Sequence, residues 1–207
     1  MATTDPYILT AEQIRQLVTA ASQYKYRICV ATYPTLFSLL ACTGLRVSEA
    51  TQLRFDDITP DGLMIRRTKF RKSRLVPLHE TAQAALQRYL QQRRPCAPFD
   101  DHVFVSRQGK ALLVGAVDEA FRTAVKRVAL PPGPRGVWPR PHSLRHSFAV
   151  RALQTCPDGR NAITKHMLAL STYLGHSKVA PTYGYLEAVP DLMRDIADRA
   201  DQFAMGR

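Results

Sequence analysis

Residues 141–148 read PHSLRHSF and residues 171–186 read STYLGHSKVAPTYGYL, and the reading of these two pieces decides the fold. His142 and Arg145 stand three positions apart, so on a helix both project from one face. Downstream, Gly175 and His176 close an apolar run, and Tyr183 and Tyr185 follow. An imidazole, a guanidinium, a second imidazole and a phenol form a set suited to attack on a phosphate. Arginine grips two phosphate oxygens as a planar fork, histidine moves a proton near neutrality, and tyrosine can form a covalent adduct. The two tyrosines lie two residues apart, so on a helix they point about 200° apart and only one faces a given phosphate.

The composition agrees with a polyanionic target. The 207 residues are 45% apolar and 22% charged, as in an ordinary globular protein with a full core. The net charge of +12 points to nucleic acid as the partner. It is unevenly spread: residues 187–207 hold five acids and three bases, which leaves 26 bases against 12 acids before them. Cys29, Cys42, Cys96 and Cys156 form no CxxC pair, and Cys29 and Cys42 read as small buried hydrophobes, so neither a disulfide framework nor a zinc knuckle is expected. No apolar run reaches transmembrane length and no signal-peptide pattern opens the chain. The expectation is a soluble, cytoplasmic protein, nucleoid-associated when bound, with no membrane partner.

Thr10, with Gln13 at the capping-box position, opens a helix through about Ser22. An apolar helix from roughly Tyr33 to Cys42 stops at Thr43-Gly44, and Leu45–Ala50 reads as a short helix with Arg46 near its start. Arg46 is either a surface cation or the partner of Glu49 one turn on. Leu63–Thr68 and Arg74–Leu78 read as strands around a hairpin tip, and six of the nine residues from Arg66 to Arg74 are basic. Arg66, Arg67, Arg71, Lys72 and Arg74 suit a hairpin laid on a phosphate backbone, or equally a solvated charged hairpin. Helices are expected over His79–Arg93, Val114–Leu130, Ser143–Gln154 and Ile163–Leu174, with a last amphipathic helix from Pro190. Val103–Ser106 reads as extended and Pro157–Gly159 as a turn. The Pro-rich segment Pro131–Pro141 reads as a loop whose Arg135, Trp138 and Arg140 touch DNA or pack. The predicted fold is mainly α with a small antiparallel β-hairpin sheet (α+β).

Taken in order, TGLRVSEA (43–50), TKFRKSRLVPL (68–78), HSLRHSFA (142–149), LGHSK (174–178) and TYGYL (182–186) make the chain resemble the catalytic domain of the tyrosine recombinases, the phage-integrase family. The likeness runs from about Leu9 to Leu192, and its specificity lies in the five pieces together. It implies the catalytic-domain fold of that family and DNA strand cleavage by a tyrosine, giving a 3′-phosphotyrosyl link and a free 5′-hydroxyl. A hydroxyl from another duplex then attacks the link, with no metal or other cofactor needed. By that resemblance Arg46 and Arg145 clamp the scissile phosphate, and Lys69, preferred over Lys72, protonates the departing oxygen. His142 is a general base or proton shuttle, His176 a phosphate donor, and Glu49 orients the pocket. The family's spacing from the LGH histidine selects Tyr185 as nucleophile and leaves Tyr183 to packing.

The resemblance also implies a domain division into a lead-in over 1–9, the catalytic domain over 10–189 and a C-terminal amphipathic helix over 190–207. That helix would dock on a neighbouring protomer in dimers or tetramers on double-stranded DNA. Family members usually carry a DNA-binding domain ahead of this region, and about nine residues stand before the first helix here. Three rival readings stand beside this one. His142 and His146 have the HxxxH spacing of a metal pair, but Ser143 replaces the zincin glutamate and Arg145 lies between them, so no metal site is expected. A non-catalytic DNA-binding protein of the same fold shares the charge but is expected to lose some of Arg46, Lys69, His142, Arg145, His176 and Tyr185, all present here. A type IB topoisomerase-like relaxing enzyme shares the chemistry and differs in what attacks the phosphotyrosine.

Overall fold

The structure, a computed structural model, describes residues 6–24, 26–66, 73–133, 136–155 and 160–175. It is mostly helical with one small antiparallel sheet, as expected. The chain divides into two compact units, Met1–Ser147 and Phe148–Arg207.

In the first unit, α1 (Ala11–Ala21) starts at the capping box read from the sequence: Gln13 N–H donates to Thr10 Oγ1 at 3.1 Å, and Thr10 N–H to Gln13 Oε1 at 2.9 Å. Its inner face, Ile14, Leu17, Ala20 and Ala21, packs on α2 (Arg27–Thr43). This second helix begins at Arg27, not near Tyr33, and carries Pro34 inside it. Proline is most at home in a first turn, because it has no N–H to give the carbonyl four residues back, and that preference placed the expected start too late. The buried residues Leu36, Phe37 and Leu40 keep the helix continuous through the proline. Residues Val47–Thr51 form the short α3.

A three-stranded antiparallel sheet follows, of β1 (Ile58–Thr59), β2 (Gly62–Ile65) and β3 (Arg74–Val76), in that order. Strand β1 was not expected; two residues are too few for an alternating pattern to show. The turn into β2 needs glycine, since Gly62 has φ +136° and a Cβ there would sit 2.3 Å from the Val76 carbonyl oxygen. Register pairs Leu63 with Val76 and Ile65 with Arg74, so these four residues share the inner face while Leu75 faces solvent.

Helix α4 (Glu80–Cys96) runs three residues past its expected end at Arg93. Arg93 is wholly buried and donates to the carbonyls of Ala97, Asp100 and His102, fastening the helix end to the segment that follows. Tyr89 of the same helix stacks on Phe104 at 5.4 Å and donates to the Val103 carbonyl. Helix α5 (Val114–Val128) buries Val117, Ala120, Phe121, Ala124 and Val125 and leaves Arg122, Lys126 and Arg127 outside, as its periodicity predicts. Phe121 meets Phe37 edge to face at 5.2 Å. Burying a side chain of this size contributes about 1.5–3 kcal/mol, and the main helix packing of the unit is that of α1 on α2 and α5 and of α2 on α4.

Helix α6 (Pro141–Gln154) opens with proline in its first turn, where no N–H is missed, and Ser143 Oγ accepts the Arg140 N–H at 3.1 Å. Ser147 Oγ accepts the Leu9 N–H at 2.7 Å, tying the helix to the start of the chain. In the second unit, α7 (Arg160–Leu174) begins before the expected Ile163. Phe148 stacks on Tyr173 at 5.5 Å, and Val150, Leu153, Met167 and Leu170 are buried. Cys29 is buried as expected, but Cys42 is exposed: it falls on an outer position of α2, where an apolar run in the sequence hides the helix's solvent side. No helix among the described residues is long and apolar enough to cross a membrane.

Candidate functional site

Helix α2 ends at Gly44, whose left-handed φ of 63° lets its N–H return to the Leu40 carbonyl at 3.0 Å. The chain then turns directly into α3, with Arg46 as the residue before its first turn. Glu49, three residues on, accepts the Arg46 N–H at 2.9 Å and its Nη1 at 2.8 Å. Of the two readings left open for Arg46, the pair with Glu49 is the observed one. The Arg46 side chain is still 33% exposed, against 9% for Glu49.

A second guanidinium shares the same carboxylate. Arg74 donates from Nη1 to Glu49 Oε1 at 3.0 Å and from Nη2 to Oε2 at 2.8 Å, a bidentate fork. Burial alone would push the Glu49 carboxyl up. The Arg74 hydrogen bond, the Arg46 N–H and the two positive charges outweigh it and hold the pKa below its ordinary 4.5. Arg74, expected along a DNA backbone, is here turned inward: its side chain is 13% exposed and both terminal nitrogens are engaged on Glu49. The reason is strand parity: Arg74 and Val76 are two apart on β3, so an inward Val76 turns Arg74 inward too.

His142 and Arg145 do share α6, as the spacing requires. Arg145 is 2% exposed and donates from Nη1 to the Gly44 carbonyl at 2.6 Å, two residues before Arg46. The link joins positions 101 apart in sequence and brings the TGLR and HSLR pieces to one place. The His142 pKa is held below its ordinary 6.5, first by partial burial of the ring and then by the Arg145 and Arg46 guanidiniums. His142 thus lies within the electrostatic reach of both arginines. His142 and His146 meet edge to face at 4.5 Å. Together these groups offer two guanidiniums and a neutral imidazole, a constellation for neutralising and attacking a phosphodiester.

Arg66 is 58% exposed, with its Nε on Asp57 Oδ1 at 2.5 Å. Arg140 borders an open groove of about 560 Å³ shared with Arg122, Lys126 and the exposed Trp138. Asp100, Asp101 and His102 lie close enough to hold an ion, but their carboxylates already pair with Arg93 and Arg54. Lys69, His176 and Tyr185 lie outside the described residues, as do Arg67, Arg71, Lys72, Tyr183 and the expected helix from Pro190. What the sequence reading missed is Arg74 as a partner of Glu49 and the Gly44 carbonyl as the joint between Arg145 and the Arg46 turn. Strand parity carries the first; no side-chain pattern carries a main-chain acceptor.

The model of the phage integrase family matches residues 8–190. A protein of Sinorhizobium fredii named integrase/recombinase y4rB is 37% identical over 207 residues, covering 95% of this chain and 66% of the relative. The tyrosine recombinase XerC of Pseudomonas syringae is 37% identical over 151 residues, 72% of this chain and 46% of that protein. The crystal structure of XerA recombinase superposes with a TM-score of 0.69 at 27% identity, covering 88% of this chain and 60% of that one. The chain therefore spans about two thirds or less of the length of each.

Proposed function

This chain belongs to the phage integrase family, and on that premise we propose that it breaks and rejoins double-stranded DNA at specific sites through a 3′-phosphotyrosyl intermediate. One observation supports the reading: Arg145 of α6 donates to the Gly44 carbonyl, two residues before Arg46, which brings the two arginine-bearing segments together although they lie 101 positions apart in sequence. Each arginine has five N–H donors, so Arg145 can hold the Gly44 carbonyl and a phosphate oxygen together. Arg46, the more exposed of the two, takes the other non-bridging oxygen.

The Tyr185 phenolic oxygen attacks the phosphorus, forming the O–P bond as the P–O5′ bond breaks. His142, neutral near pH 7, receives the phenolic proton, and Lys69 gives a proton to the departing 5′-oxygen. His176 donates to the phosphate. Attack by a 5′-hydroxyl of a second duplex reverses the step and releases the tyrosine, so the energy of the broken bond is kept in the link. Arg66, Arg67, Arg71, Lys72 and Arg140 would run along the DNA backbone, as the net charge of +12 favours. Residues 10–189 form the catalytic unit in this reading, and the helix from Pro190 docks on a neighbouring protomer in a dimer or tetramer on DNA.

The test is covalent trapping. The chain is incubated in EDTA with a pool of nicked duplexes of randomised core sequence and run on a denaturing gel. A protein–DNA adduct is expected, and Arg46→Ala should cut it by roughly 10²–10³, the usual cost of one charge-stabilising donor, while retaining DNA binding. Binding without any adduct would move the reading to the non-catalytic DNA-binding protein.

A further inference from the structure

Residues 6–10 are neither helix nor strand, yet several parts of the first unit hold them. Tyr7 Oη donates to the Pro131 carbonyl at 3.1 Å, and its ring lies close against Gly133, where a Cβ would sit 2.8 Å from Tyr7 Cδ2. Leu9 is buried, and its N–H donates to Ser147 Oγ at 2.7 Å across 138 positions of sequence. Thr10 then caps α1, which packs on α2 and α5. Ser147 is wholly buried and its hydroxyl works in both directions: it accepts the Leu9 N–H and donates to the Ser143 carbonyl at 2.8 Å. A main-chain N–H buried without an acceptor is costly, so Leu9 and Ser147 each fix where the other can lie.

The place of this link on α6 matters more than its strength. Arg145 joins α6 to the Gly44 carbonyl, and Ser147, two residues on, joins it to the strap formed by residues 7–9. Residues two apart on a helix point about 200° apart, so these two links grip α6 on nearly opposite sides. Two opposed links resist rolling of a helix about its axis better than either alone. His142 projects from the same face as Arg145, so its aim follows any roll. At a side-chain radius of about 5–6 Å, a roll of about 10° moves a side chain by about 1 Å. A misplacement of that size can slow a reaction about 10²-fold. We propose that Ser147 is a positioning residue: it clasps the strap at Leu9 and so fixes the rotation of α6 and the aim of His142 and Arg145. The inference rests on the reading of His142 and Arg145 as groups that meet the phosphate.

The experiment uses the full chain and two changes at opposite ends of the link. Ser147→Ala removes the acceptor, and an ester oxygen in place of the Leu9 N–H removes the donor while keeping every side chain. The NMR midpoint of His142 should rise in both toward the ordinary 6.5, because burial of the ring and the neighbouring guanidiniums hold it below that value and a rolled helix loses part of both. On saturating duplex, single-turnover cleavage should fall about tenfold, part of the roughly 10²-fold that a displacement of about 1 Å can cost. DNA affinity should stay within a few-fold of the unsubstituted chain. The doubly altered chain should do no worse than either single one, since both changes remove the same bond. Thermal melting shows which chains are folded, and the ester carries the test if Ser147→Ala does not fold. A lowered melting temperature with the His142 midpoint and the cleavage rate unmoved would mean a prop of the fold and overturn the proposal, as would additive losses in the doubly altered chain. If the unsubstituted chain binds DNA and never cleaves it, the reading of His142 and Arg145 falls, and the His142 midpoint alone then decides the strap.

Discussion

At the scale of single residues, His142 shows how the arginines shape the chemistry. Partial burial of its ring, then Arg145 and Arg46, disfavour the imidazolium, so the folded chain releases that proton at a lower pH than the unfolded one. The neutral ring, the form able to accept a proton, therefore stays populated below the ordinary 6.5. The sign for stability is the matching one. The contribution is whole above about pH 6.5 and is lost as the pH falls through the folded value, because the unfolded chain then binds more protons. An NMR titration should give a His142 midpoint below 6.5, and Arg46→Ala should move it upward by removing one of the repelling charges. A midpoint at or above 6.5 in the unsubstituted chain, or one indifferent to Arg46, would contradict this account of the pocket's field. His142 and Arg145 were legible as candidates from their spacing on a helix, whereas Arg46, by its own segment a surface cation or the partner of Glu49, became one only through the resemblance. The direction in which Arg74 points was legible only through strand parity, and its weight was hidden by the run of basic residues around it.

At the scale of elements, the site depends on how α2 ends. Gly44 does three things at once: its left-handed backbone stops the helix, its carbonyl takes the Arg145 guanidinium, and the turn after it presents Arg46. Gly44→Ala should cost about 1–2 kcal/mol in chemical denaturation, since a Cβ is strained in the left-handed region. Cleavage should fall further than that loss of stability explains, because the carbonyl shifts with the strain. A variant that loses stability alone, or neither, would remove Gly44 from the site. The sequence announced this stop plainly, as it did the Thr10 cap and the helical period of α5. It misplaced the start of α2 because Pro34 imitates a first turn, and it hid β1 because two residues make no period. The expected end of α4 at Arg93 fell three residues short, and the carbonyls of the following segment that receive the wholly buried Arg93 leave no side-chain pattern in the sequence.

At the scale of the whole molecule, the reading joins a basic body to a site assembled from distant pieces. Five short motifs in order identified the family, although none is specific alone, and the mainly helical fold with its small sheet followed from the periodicities. The contact of Arg145 with Gly44 shows why order mattered more than any single motif, for it closes a loop of 101 residues onto one pocket. The central claim is that a tyrosine of this chain becomes bonded to DNA, and peptide mapping tests it most directly. The trapped adduct is digested with nuclease and trypsin, and the residual nucleotide is located by fragment-ion mass spectrometry. The account predicts a nucleotide phosphate on Tyr185, with Tyr183 unmodified in the same peptide. A phosphate on Tyr183 would overturn the choice of nucleophile, and a link through any residue other than tyrosine would contradict the mechanism itself.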